Sequence, residues 1–117
     1  MSSVEGPLEG VLQRQVVAVV PAKDEEARVG ATIAGLRQLP AVGAIVVVDD
    51  GSVDQTAHVA EWAGGVEVVR HERNRGKAAA LTTGAARAHE LMPGAPLLFV
   101  DATSRGRRPA SDRSSRR

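Results

Sequence analysis

The sequence predicts an α/β fold, a Rossmann-like parallel sheet with helices on both faces. Three observations carry that expectation. Four short aliphatic runs alternate with segments of helical periodicity, the links between them are brief, and each run ends in polar residues rather than in a hairpin turn. Alternation of this kind implies right-handed crossovers between parallel strands.

The elements follow in order. "VVAVV" (residues 16–20) is a continuous β-branched run, as expected of a strand buried on both faces. Asp24 is a candidate N-cap, after which Val29, Ile33, Leu36 and Leu39 recur at helical spacing until Pro40. "AIVVV" (residues 44–48) reads as the second strand. Asp54 is placed to cap a helix running to about Ala63, ended by Gly64 and Gly65. "VEVVR" (residues 66–70) is the third strand. From Gly76 to Leu91 an Ala-rich helix aligns Leu81, Ala85, Ala88 and Met92 before Pro93 and Gly94, and "PLLFV" (residues 96–100) is the fourth strand.

Composition sets the limits. The 117 residues make one modest domain, with 43% hydrophobic residues and only Phe99 and Trp62 as aromatics, so the core is expected from Val, Ile, Leu and Ala. The absence of cysteine excludes disulfides and thiolate metal sites. No stretch approaches the roughly 20 apolar residues of a membrane span, and the N-terminus lacks a signal-peptide pattern, so a cytoplasmic location is expected. The net charge of +1 hides a division: residues 1–103 carry nine Lys/Arg against thirteen Asp/Glu, and residues 104–117 six Arg against one Asp. The expected organisation is a flexible segment 1–14, a domain 15–103 and a disordered Arg/Ser-rich tail 104–117.

Ligands of open parallel sheets bind beyond the carboxyl ends of the strands. The segments there are "PAKDEE", "DDGS", "HERNRGK" and "DAT". Acids after strands also serve as plain helix caps, and Arg73 and Arg75 read best as a solvated loop; the concentration of all four segments on one edge is what argues for a site. No G-x-G-x-x-G, P-loop or G-x-S-x-G pattern is present, and His58, His71 and His89 are scattered, as surface histidines are. "KDEE" and "DDGS" bring five carboxylates together, which suits hydroxyl and N–H groups and repels phosphate. "NRGK" sets Lys77 at a helix start, where free N–H groups and the dipole favour a diphosphate. A ligand with a hydroxyl-rich end and an anionic middle, such as a nucleotide-sugar, matches both halves.

"VVAVVPAKDEEARVGATIAGL", "IVVVDDGSVDQT", "NRGKAAALTTGAARA" and "LLFVDAT" resemble, in order and spacing, the N-terminal half of family-two inverting glycosyltransferases of GT-A fold, over about residues 15–103. The resemblance implies a nucleotide-diphosphate sugar donor, UDP-sugar foremost. Pro21, Ala22 and Glu25 would line the uracil and ribose pocket, Asp49 or Asp50 would accept from the base or ribose with Ser52 beside it, and Lys77 would contact the base or diphosphate. Asp101 matches the first acid of the family's D-x-D motif, which holds ribose and a divalent Mg²⁺ or Mn²⁺.

Two departures stand out. Thr103 occupies the place of the motif's second acid and is a poorer ligand for a hard cation. The chain then turns to Arg/Ser-rich sequence where the acceptor-side half and the catalytic base should begin, so no catalytic residue is assigned. An out-of-frame or truncated continuation of a longer reading frame is expected. The competing reading is a non-enzymatic protein whose Arg-rich tail binds nucleic acid or an anionic surface. A phosphoacceptor module would place its acid pair after the first strand, and a sugar nucleotidyltransferase would have a glycine-rich loop there; neither is found.

Overall fold

β-Branched runs flanked by Ala-rich helical stretches build a four-stranded parallel sheet in the order β3-β2-β1-β4. The computed structural model describes residues 15–102. The strands are β1 (Val16–Ala22), β2 (Val42–Asp50), β3 (Glu67–His71) and β4 (Leu97–Phe99); the helices are α1 (Val29–Arg37), α2 (Thr56–Ala63) and α3 (Lys77–Leu91). The α/β class and the parallel arrangement agree with the sequence. The expected segments 1–14 and 104–117 lie outside the described residues, as does Thr103.

Alternation of side chains along each strand divides the core into two layers. Ala18, Val20, Ile45 and Val47 face α1 and α2, meeting Val29, Ile33, Leu36 and Ala60. Val17, Val19, Val46 and Val48 face α3 through Ala80 and Ala88. Both aromatics stay outside this core: Phe99 is 52% exposed and Trp62 79%.

The buried line of α3 is Ala80, Gly84 and Ala88, one residue round from the expected stripe, with Leu81 and Met92 on its flank. The reason is steric. A Cβ on Gly84 would lie 2.3 Å from Val19 Cγ1 and 3.1 Å from Val48 Cγ2, so the helix rests on the sheet by its smallest residues.

Several boundaries differ from expectation. β2 runs through Asp49 and Asp50, and β3 through His71, with Asp49 paired to Arg70 and Asp50 to His71 across the strands. α1 starts at Val29, not after Asp24. The Arg28 and Val29 N–H groups both turn back to the Glu25 carbonyl, and Asp24 adopts φ 54° with its carboxylate engaged elsewhere. Leu39 falls beyond α1 and is 47% exposed. Asp54 accepts the Thr56 N–H at 2.9 Å but stands one residue before the N-cap position of α2, which Gln55 occupies, so it closes the turn into the helix and is not the expected cap.

Candidate functional site

The chain builds β1, β2 and β3 outward in one direction and then returns through α3 to place β4 on the other side of β1. The strand order therefore reverses between β1 and β4, which is where a parallel sheet opens a crevice at its carboxyl end. A cleft of about 310 Å³ lies there, lined by Pro21 and Ala22 at the end of β1, Lys23 after it, Asp50 of β2, Asn74, Gly76 and Lys77 before and at α3, and Asp101 after β4.

Each lining group is positioned by its element. Asp50 is 4% exposed and engaged at both oxygens. Oδ1 accepts the His71 Nδ1–H at 2.8 Å and the Arg75 N–H at 2.9 Å, and Oδ2 accepts the Gly76 N–H at 2.9 Å. Burial pushes the Asp50 carboxyl up, but these donors outweigh it and hold the pKa below the ordinary carboxylate value. Lys77, the first residue of α3, donates Nζ to Asp101 Oδ2 at 2.9 Å across the mouth of the cleft. This pair sets a cation and a carboxylate beside the open N-terminal turn of α3, a place suited to an anion flanked by hydroxyl groups.

The adjacent acids part company. Successive side chains of a strand point to opposite faces, so Asp50 reaches the α3 side and the cleft while Asp49 turns to the α1/α2 side. Asp49 is fully buried; its Oδ1 accepts the Ser52 N–H at 3.0 Å and its Oδ2 lies 3.3 Å from Arg70 Nε. Gly51 then carries the chain round at φ +73°, and a Cβ there would stand 2.3 Å from the Asn74 nitrogen, so only glycine allows the loops after β2 and β3 to touch.

Pro21, Ala22, Asp50, Lys77 and Asp101 thus come together, whereas Glu25, Asp49 and Ser52 do not line this cleft. The Glu25 N–H donates to Thr56 Oγ1 at 2.8 Å, and its buried carboxylate lies 3.7 Å from the Arg28 guanidinium. Ser52 Oγ accepts the Asp24 N–H at 2.8 Å.

The expected acid-rich surface is largely consumed in joining two loops. Asp24 Oδ1 accepts from Val53 N–H, Glu26 Oε1 from Gln55 N–H, and Asp54 Oδ2 from Glu26 N–H. The Asp54 carboxylate is also bonded by the Thr56 hydroxyl. Burial raises the Asp54 pKa, and the Thr56 hydroxyl with the Thr56 and Glu26 N–H groups brings it below the ordinary value. For Asp24 the Lys23 ammonium, then the Val53 N–H, lowers it.

Sequence reasoning misses His71, which reads as a surface histidine. It is 7% exposed and bonded at both nitrogens, to Asp50 and, at 2.9 Å, to Thr83 Oγ1. The available signal is parity: continuing the third strand by one residue puts His71 on the same face as Val69 and beside Asp50.

Among the described residues no group of three or more His, Asp or Glu side chains is arranged to hold a metal. Asp101 is a half-exposed carboxylate on the cleft. It fits the role of one protein ligand to a hard cation that takes its remaining oxygens from substrate phosphates and water.

A parallel sheet with a switch-point cleft, an anion-favouring helix start and flanking carboxylates defines a Rossmann-like α/β domain. The model of glycosyl transferase family 2 matches residues 17–102, and the chain belongs to that family. Its structural neighbours are GT-A glycosyltransferases. Mannosyl-3-phosphoglycerate synthase from Rubrobacter xylanophilus superposes with a TM-score of 0.62 at 30% identity, over 79% of this chain and 32% of that one. Glucosyl-3-phosphoglycerate synthase from Mycobacterium tuberculosis, crystallised with Mn²⁺, UDP and glucosyl-3-phosphoglycerate, gives 0.58 at 28% identity, over 76% and 33%. The uncharacterised protein MJ1222 of Methanocaldococcus jannaschii is 46% identical over 70 residues, 60% of this chain and 28% of its own. The chain thus spans a third or less of the length of each of these relatives. No helix of the described residues is long and apolar enough to cross a membrane.

Proposed function

We propose that the cleft between β1 and β4 is the donor site of a glycosyltransferase and takes a nucleotide-diphosphate sugar, UDP-sugar foremost, for inverting transfer. The observation that carries this reading is the convergence of Lys77, the start of α3, Asp50 and Asp101 on one cleft of a family 2 chain.

The assignments follow the chemistry of the lining. Pro21 and Ala22 offer an apolar wall for the flat face of the base, and the Asp50 carboxylate edge lies toward its N–H groups or the ribose. Lys77 and the first N–H groups of α3 receive the diphosphate, releasing Lys77 from Asp101. Asp101 then serves the ribose hydroxyls, or holds a Mg²⁺ or Mn²⁺, which when bound neutralises charge on the departing diphosphate. Glu25, Asp49 and Ser52 serve the site by bracing the loops beneath it. No general base is assigned among the described residues.

The test is a calorimetric titration of the chain with UDP, UDP-glucose and GDP, with and without Mn²⁺, beside Lys77→Ala and Asp101→Asn. Saturable UDP binding weakened by both substitutions supports the reading. A folded chain that binds none of the three nucleotides refutes it, and a preference for GDP moves the donor class from uridine to guanosine.

A further inference from the structure

His71 takes part in none of the contacts assigned to the donor, yet both of its ring nitrogens are committed in the interior. A carboxylate only accepts, so the proton on His71 lies on Nδ1, facing Asp50 Oδ1 at 2.8 Å. In the neutral ring Nε2 then accepts from the Thr83 hydroxyl at 2.9 Å. The same Asp50 carboxylate gathers the Arg75 and Gly76 N–H groups, each at 2.9 Å, immediately before Lys77 opens α3.

The connections close a ring. α3 is tied to the imidazole at Thr83, and its N-terminus is tied to the same imidazole through Asp50 and the residue 75–76 backbone. Neither His71 nor Thr83 lines the cleft that Lys77 faces. A carboxylate with its ring partner removed could rotate about its last torsion and release either N–H. The entry to α3 would then lose its fixed direction, and Lys77 with it.

We infer that His71 is a positioning residue of the donor site: through Asp50 it fixes the start of α3 and so the placement of Lys77 toward the diphosphate. The inference rests on the donor-site reading for its functional consequence, and on the hydrogen bonds alone for the anchoring.

Two variants of the full chain separate positioning from plain packing. In His71→Asn the side-chain amide stands where Nδ1 stands and can still donate to Asp50. In His71→Gln the amide reaches toward the Nε2 place and leaves Asp50 without its ring donor. UDP affinity is read by calorimetry, and hydrogen exchange of the Arg75 and Gly76 amides by NMR.

His71→Gln is expected to weaken UDP binding roughly tenfold, about the worth of one hydrogen bond to a charged group, and to speed exchange at both amides. His71→Asn is expected to keep both close to wild type. Equal behaviour of the two variants, in either direction, overturns the inference. If the wild-type chain binds no UDP, the donor-site reading fails by itself and the amides decide the anchoring. Faster exchange in His71→Gln than in His71→Asn supports it, and identical exchange overturns it.

Discussion

Gly84→Ala sets two physical effects against each other within α3. Alanine is the better helix former by about 1 kcal/mol in a helix interior, so the substitution taken alone should stabilise. The new methyl, however, would stand 2.3 Å from Val19 Cγ1 and 3.1 Å from Val48 Cγ2. Favourable carbon contacts lie at about 3.5–4.0 Å, so the nearer one is short by more than an ångström. Val19 and Val48 are fully buried on adjacent strands, which leaves them no room to turn aside. Overpacking of this kind costs about 1–3 kcal/mol, here toward the upper end, and the net loss after the helix gain is about 1–2 kcal/mol.

The control is the same change in α1. A Cβ on Gly35 would have nothing within 4 Å, so Gly35→Ala should gain about 0.5–1 kcal/mol. Urea unfolding followed by circular dichroism gives both values, provided the slope with urea is unchanged. Opposite signs at the two glycines are the expected result. A Gly84→Ala chain as stable as wild type would refute the close-approach argument, because it would mean that α3 can lift from the sheet at no cost.

Gly51→Ala combines φ +73° with a Cβ 2.3 Å from the Asn74 nitrogen and should cost more than Gly84→Ala, about 2 kcal/mol or above, in the same unfolding assay. Acid stability should follow Asp50. Its folded-state pKa is depressed, so its contribution is complete above the usual carboxylate value of about 3.9 and is lost as pH falls through the lower folded value. The gap in urea midpoint between wild type and Asp50→Asn should therefore be constant near neutrality and narrow only below about pH 4. Lys77→Ala should weaken UDP binding about 10–100-fold, the worth of one charge-assisted hydrogen bond, and leave uridine binding unchanged, which calorimetry separates. Arg87→Ala removes the surface pairs with Glu67 and Glu90 and should change unfolding free energy by less than about 1 kcal/mol.

Much of the framework is legible because its causes are local. Continuous β-branched runs such as "VVAVV" cannot be amphipathic surface elements, and Gly-Gly or Pro-Gly pairs stop helices whatever surrounds them. The placement of the candidate cleft at the strand ends follows from topology alone. The sequence also puts Lys77 and Asp101 on that edge, since one opens α3 and the other lies just past β4.

The roles of the acids are harder to read. Asp24 resembles a helix cap because apolar residues at helical spacing follow it in the sequence; in the fold its carboxylate meets the Val53 N–H, 29 residues away. Asp54 meets Glu26 in the same manner, 28 residues apart. Pairings over such distances depend on β1 and β2 lying side by side, and no local pattern records them. His71 is misread for a related cause: its partners Asp50 and Thr83 come from a neighbouring strand and from the helix above it.

The sequence by itself determined the alternation of strands and helices, the parallel sheet, the family and the edge on which a ligand would sit. These depend on side-chain type and spacing along the chain. Only the tertiary structure decided that Asp49 and Asp50 serve opposite faces, that the crowded acids accept from backbone N–H groups of the facing loop, and that an imidazole holds the start of α3. Those outcomes depend on strand register and on which backbone N–H groups are left without a partner once the strands have paired, and a buried donor or acceptor takes whatever partner the fold brings within reach.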